Sequence, residues 1–193
     1  MERITDLLQN RASGRKFQSK PLPGPVLEDI LEAGRLFPSD DHNHPRRFYV
    51  ITKPDLIERI SILAYRQGWM AQAPVLIVLC TVFVEASKEG RDSQIQHFPE
   101  YASDMDCIDQ ELFQALNQEE HQTQIAGTRM VMAAREQGLE TCWVSQFDVL
   151  ALAMLLDLPM NMLPSEILAF GYPALFQWPF PKNIFGKILL TKV

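Results

Sequence analysis

Arg11, Ser13 and Arg15 alternate in the short basic loop Arg11-Ala12-Ser13-Gly14-Arg15-Lys16-Phe17. In an extended segment alternate residues share a face, so two guanidinium groups and a hydroxyl point the same way. Guanidinium forks match the oxygens of a phosphate, and a hydroxyl adds a donor without adding charge. The loop can therefore chelate phosphate; taken alone, the pattern also describes a solvated basic loop, which is the commoner case. A second polar cluster, Asp40-Asp41-His42-Asn43-His44, carries imidazoles and carboxylates of the kind that ligate metals. His42 and His44 share a side only if the chain is extended there, and no other histidine is near in sequence, so a polar loop with no metal is the simpler reading. The letters His-Asn-His do not make a nuclease, because a second ligand set and a basic surface are missing. Cys142 beside Trp143 has the atom of a nucleophile, yet an apolar strand around it argues for an inert, buried thiol.

Regular elements must hold these residues in place. Ile4, Leu7 and Leu8 have helical spacing and predict a short helix ending near Asn10. After Pro21-Leu22-Pro23-Gly24, Pro25 can open a second helix with Val26, Leu27, Ile30, Leu31 and Gly34 on one face, stopping before Pro38. Phe48 to Thr52 is rich in strand-forming types, and Asp55 to Leu63 reads as helix. Val75 to Thr81 is almost continuously apolar, as a central strand buried on both faces would be. Ile125 to Gln137 is predicted to be a helix apolar around much of its circumference and therefore buried, with Met130 and Met132 expected at a subunit interface. Thr141 to Ser145 follows as a strand, Asp148 can cap a helix running to Leu156, and Ile167 to Phe170 is the last core strand. The stretch from about 85 to 120 is acidic and weakly periodic, an insertion in a single domain of residues 1–193. His97 and His121 are assigned no role. The tail from Phe176 to Val193, with Trp178 and Phe180, needs another surface to cover it.

Composition excludes several classes. The chain is 47% hydrophobic and 22% charged, in the range of folded globular proteins. A net charge of -6 speaks against a nucleic-acid binder. The longest apolar run, Ala73 to Val84, is far shorter than the ~20 residues a membrane helix needs, and the first residues do not resemble a secretory signal, so a cytoplasmic protein without membrane contact is expected. Cys80, Cys107 and Cys142 are far apart in sequence and unlike a zinc-ligand set.

Six segments, in order, resemble the nitroreductase family of flavin enzymes over nearly the whole chain. They are Arg11-x-Ser13-x-Arg15; Gly34-Arg35-Leu36-Phe37-Pro38-Ser39; Pro45-Arg46-Arg47-Phe48; Ala73-Pro74-Val75-Leu76-Ile77-Val78; Ala133-Ala134 to Gly138-Leu139 with Thr141-Cys142-Trp143-Val144; and Leu168-Ala169-Phe170-Gly171-Tyr172-Pro173. The resemblance implies an α+β fold in three layers, with a central mixed, mainly antiparallel sheet flanked by helices. It further implies a homodimer whose C-terminal tail extends onto the partner subunit. FMN would be the cofactor, with NADH or NADPH as reductant, and hydride would pass through flavin N5 to a small nitroaromatic, quinone or other conjugated acceptor. By the same resemblance Arg11, Ser13 and Lys182 would hold the FMN phosphate and Arg15 would approach the pyrimidine edge. Pro38, Ser39 and Asp40 would reach the flavin from the other subunit, His42 would also bind the cofactor, and Val144, Ser145 and Gln146 would offer backbone N–H groups near N5 and O4. No catalytic side chain is then required, because the flavin carries the chemistry. Departures from the family pattern stand at His42, His44, Arg46, Glu140, Gln146 and Ile184. They support a second reading, a nitroreductase-fold dimer with weakened catalysis that binds flavin or another small molecule.

Overall fold

The computed structural model describes residues 4–9, 11–36, 46–82, 103, 119–159 and 162–174. Among these, the order is α1 (Ile4–Gln9), α2 (Gly24–Arg35), β1 (Arg46–Ile51), α3 (Pro54–Leu63), a 3₁₀ turn (Gly68–Gln72), β2 (Val75–Val82), α4 (Glu119–Glu136), β3 (Glu140–Val144), α5 (Val149–Leu155) and β4 (Met162–Gly171). No described helix is long and apolar enough to cross a membrane.

The four strands run in the order β1-β2-β4-β3, and each neighbouring pair is antiparallel. The sheet's one parallel pairing among the described residues is the isolated bridge between Ser13 and Thr141. Helices cover both faces. On one, Ile57, Ile60, Met70 and Leu152 pack with Leu76, Val78, Cys80, Cys142, Ile167 and Ala169. On the other, Ile30, Met130, Val131 and Ala134 pack with Val75, Ile77, Leu79, Leu168 and Phe170. Three layers result, as expected, and β2 is apolar on both sides because it lies inside the sheet with helices above and below.

Several boundaries differ from the sequence reading for identifiable reasons. β4 begins five residues before the expected Ile167, because Pro164 and Glu166 mask its alternation, although both are buried and pair with β2. β3 ends at Val144, leaving Ser145 exposed in the turn before α5. α4 starts at Glu119, within the segment read as insertion. Its circumference is two-sided: Thr123, Ala126, Gly127, Met130, Val131 and Ala134 are buried, whereas Ile125, Thr128 and Arg129 are exposed. The small residues serve close approach to the sheet. A Cβ on Gly127 would lie 2.5 Å from Leu79 Cδ1 and 2.8 Å from Trp143 Cη2. Met130, expected at a subunit interface, instead fills the space left by Gly34 of α2 inside the subunit. Asp148 caps α5 as expected, its carboxylate accepting from Ala151 N at 3.0 Å.

Candidate functional site

The basic loop is built as an extension of the sheet. Ser13 bridges Thr141 on the outer edge of β3, and Gly14 N donates to Thr141 O at 2.9 Å. Four residues on, Phe17 bridges Pro173 just past β4, Gln18 N donates to Tyr172 O at 2.9 Å and Ala174 N to Lys16 O at 3.0 Å. Phe17 itself is buried and lies against Trp69, with ring centroids 6.4 Å apart. The loop is thus clamped at two places, which removes most of the ordering cost that a free basic loop would carry on binding a ligand.

The clamp brings Arg11, Ser13 and Arg15 together. Burial pushes the Cys142 thiol up, and Arg15 first, then Ser13 and Arg11, draw it part of the way back. Ser13 and Arg15 are exposed and Arg11 is half-buried. The Arg15 guanidinium stands 5.9 Å from the centre of the Trp69 ring, within range of a cation–π contact. Trp69 carried no sequence signal: it sits in a 3₁₀ turn with no periodicity, more than fifty residues from Arg15. Arg11 lines a cleft of about 410 Å³ with Leu8, Gln124, Thr128, Met132, Trp143 and Glu166. A second cleft of about 460 Å³ between α3 and α5, lined by Arg59, Ile62, Leu63, Ala151, Met154 and Leu155, includes none of the loop residues.

Val144 is buried in the core, so its backbone, not its side chain, is what a ligand could meet; Ser145 and Gln146 follow it and are exposed. Pro38, Ser39, Asp40, His42 and Lys182 lie outside the described residues, as do His44, Ile184, Cys107 and the tail. Cys80 and Cys142 are both free and buried, in line with inert thiols, and burial pushes Cys80 up to about 12. Glu140 is the departure whose surroundings are most informative. It is 6% exposed, its Oε1 lies 3.8 Å from Arg135 Nη1, and its Oε2 has no hydrogen-bond partner among the described residues.

Residues 8–172 match the Nitroreductase family, and the chain belongs to that family. It is 26% identical over 172 residues to the oxygen-insensitive NADPH nitroreductase of Helicobacter acinonychis, covering 83% of this chain and 82% of that one. It is 25% identical over 200 residues to the NADH dehydrogenase of Thermus thermophilus, covering 94% of this chain and 92% of that protein. Among solved structures, the FMN-dependent nitroreductase of Clostridium difficile superposes with a TM-score of 0.71 at 18% identity, over 97% of this chain and 98% of the other.

Proposed function

We propose that this chain is an FMN-dependent NAD(P)H oxidoreductase, active as a cytoplasmic homodimer, that reduces a small nitroaromatic, quinone or other conjugated acceptor. The observation that carries the reading is the backbone of the Arg11–Phe17 loop, clamped to the sheet edge at Ser13–Thr141 and again at Phe17–Pro173, which holds Ser13 and Arg15 on either side of the bonded Gly14. Two positive charges and a hydroxyl fit a phosphomonoester dianion, and the backbone amides of Val144 to Gln146 come at the end of the strand that the loop pairs with, Ser145 and Gln146 just past it. Residues fit the cofactor on this chemistry: Arg11 and Ser13 would bind its phosphate, and Arg15, held over Trp69, would place positive charge beside the ring's pyrimidine edge. FMN, when bound, supplies the ring that takes a hydride and passes it on, so the chain need supply no acid or base of its own. Apolar side chains exposed on α1 and α4, Leu8 and Ile125, give a second copy of the chain surface to cover. Pro38, Ser39, Asp40, His42 and Lys182 complete the proposed site from the segments outside the described residues.

The test is spectroscopic. Purified protein with FMN should show an oxidised-flavin band near about 450 nm that bleaches under anaerobic NADH or NADPH and returns on adding a nitroaromatic or quinone. Flavin that binds but resists both reductants would favour the weakened, binding-only dimer, and failure to bind flavin would defeat the enzyme reading and leave only a dimer that binds another small molecule.

A further inference from the structure

We propose that Glu140 is the positioning residue of the phosphate loop: its carboxyl fixes where Gly14 stands, and its charge weakens the loop's hold on a phosphomonoester. The inference rests on the reading of that loop as the FMN phosphate site. Glu140 opens β3 directly opposite Gly171 of β4, a partner with no side chain, so its own side chain has room to fold under the loop. The fit there is tight. A Cβ on Gly14 would collide with Glu140 Oε2 and lie 2.6 Å from its Cβ and 3.3 Å from its Cδ. Residue 14 is therefore a glycine because Glu140 occupies the space, and Gly14 N is tied to the very next residue of the strand, at Thr141 O. Any shift of Glu140 is transmitted to Ser13 and Arg15, which flank that glycine.

The carboxyl is poorly compensated for a group so buried. The facing charge from α4 is Arg135, at 3.8 Å from Oε1, and Arg135 Nη1 also donates to Leu139 O at 3.5 Å. From the loop side come the backbone of Gly14 and, flanking it, the exposed Arg15 and Lys16; β4 presents Gly171. Oε2 and the neighbouring Thr141 Oγ1 are both buried without hydrogen-bond partners among the described residues. When ionised, Glu140 places a negative charge beneath the loop whose cations would face a phosphate dianion. That charge opposes a dianionic ligand held on the loop. By linkage the two are reciprocal, so removing the charge must tighten phosphate binding.

The experiment measures dissociation constants for FMN and for riboflavin, which lacks the phosphate, on the full chain and its variants. Glu140→Gln keeps the shape and removes the charge; it should bind FMN about 5-fold or more tightly with riboflavin unchanged, about 5-fold being the lower end of typical site-to-site coupling. Gly14→Ala should weaken FMN selectively, and Gly14→Ala/Glu140→Gly should bind it more tightly than Gly14→Ala/Glu140→Gln, because both lack the charge and the glycine alone empties the space that the new methyl needs. An unchanged FMN-to-riboflavin ratio in Glu140→Gln, or Gly14→Ala/Glu140→Gly no better than Gly14→Ala/Glu140→Gln, overturns the inference while leaving the phosphate assignment intact. Equal affinity of the unaltered chain for FMN and riboflavin would overturn the assignment itself, and this inference with it.

Discussion

Gly171→Ala should destabilise the protein by pushing on the anchor of the basic loop. Gly171 is buried at the end of β4, where an added Cβ would lie 2.7 Å from Phe17 Cδ1, 3.0 Å from Phe17 Cγ and 2.8 Å from Pro74 Cδ. Both neighbours are rings. Pro74 is fixed by its own backbone, and Phe17, only 5% exposed, cannot turn away without leaving the core. Overpacking of this kind costs ~1–3 kcal/mol. The loss of glycine's freedom in the unfolded chain offsets ~0.4–1 kcal/mol. With the middle of each range the net loss is about 1.3 kcal/mol, which corresponds to a Tm lower by roughly 3–5 °C for a chain of this size. Thermal unfolding followed by circular dichroism, at fixed protein concentration and flavin content, measures it, since bound ligand and dimerisation both raise Tm. Phe17→Ala removes Cγ and Cδ1, the ring atoms nearest the new methyl, so the double variant should lose less than the sum of the two single losses, by ~0.5 kcal/mol or more. A Tm unchanged in Gly171→Ala, or strictly additive losses, would refute the packing described for Phe17.

Three further outcomes are expected. Burial raises the Glu140 carboxyl above its ordinary value, with Arg135 opposing, so the folded state holds its proton more tightly than the unfolded state. Stability from this group is therefore full below the ordinary carboxylate range and lost as pH rises from that range through the folded value; Glu140→Gln should gain stability over the unaltered chain at pH 7 and little at pH 4, by denaturant titration. Asp148→Ala removes the cap of α5 and should cost ~0.5–2 kcal/mol in the same titration. Cys80, fully buried and pushed up to about 12, should remain unmodified by a thiol alkylator at pH 8 in the native protein, as read by peptide mass mapping, and react once denatured.

The fold was legible wherever burial imposes a period. β2 announced itself because both of its faces meet helices, and α2, α3 and the Asp148 cap followed from spacing and capping chemistry. The first half of β4 was hidden because Pro164 and Glu166 are residue types that strands in the core seldom carry, and only the neighbouring β2 explains their burial. On α4 the small residues read as an apolar surface, and it takes the contacts to show that Ala126, Gly127 and Ala134 lie buried while Ile125 stays exposed. At the site, Arg11, Ser13 and Arg15 were visible as a local alternation. Trp69 and the seat of Glu140 under Gly14 were not, since each depends on a contact between residues more than fifty positions apart.

The phosphate role of the basic loop is tested most directly by comparing FMN and riboflavin affinities of the unaltered chain and Arg11→Ala. A charge-assisted bond from this guanidinium contributes ~1.5–3 kcal/mol, so the variant should bind FMN roughly 10- to 150-fold more weakly. Riboflavin affinity should stay the same, because it offers no phosphate for Arg11 to hold. Equal losses for both flavins, or none for FMN, would contradict the assignment of Arg11 to the phosphate.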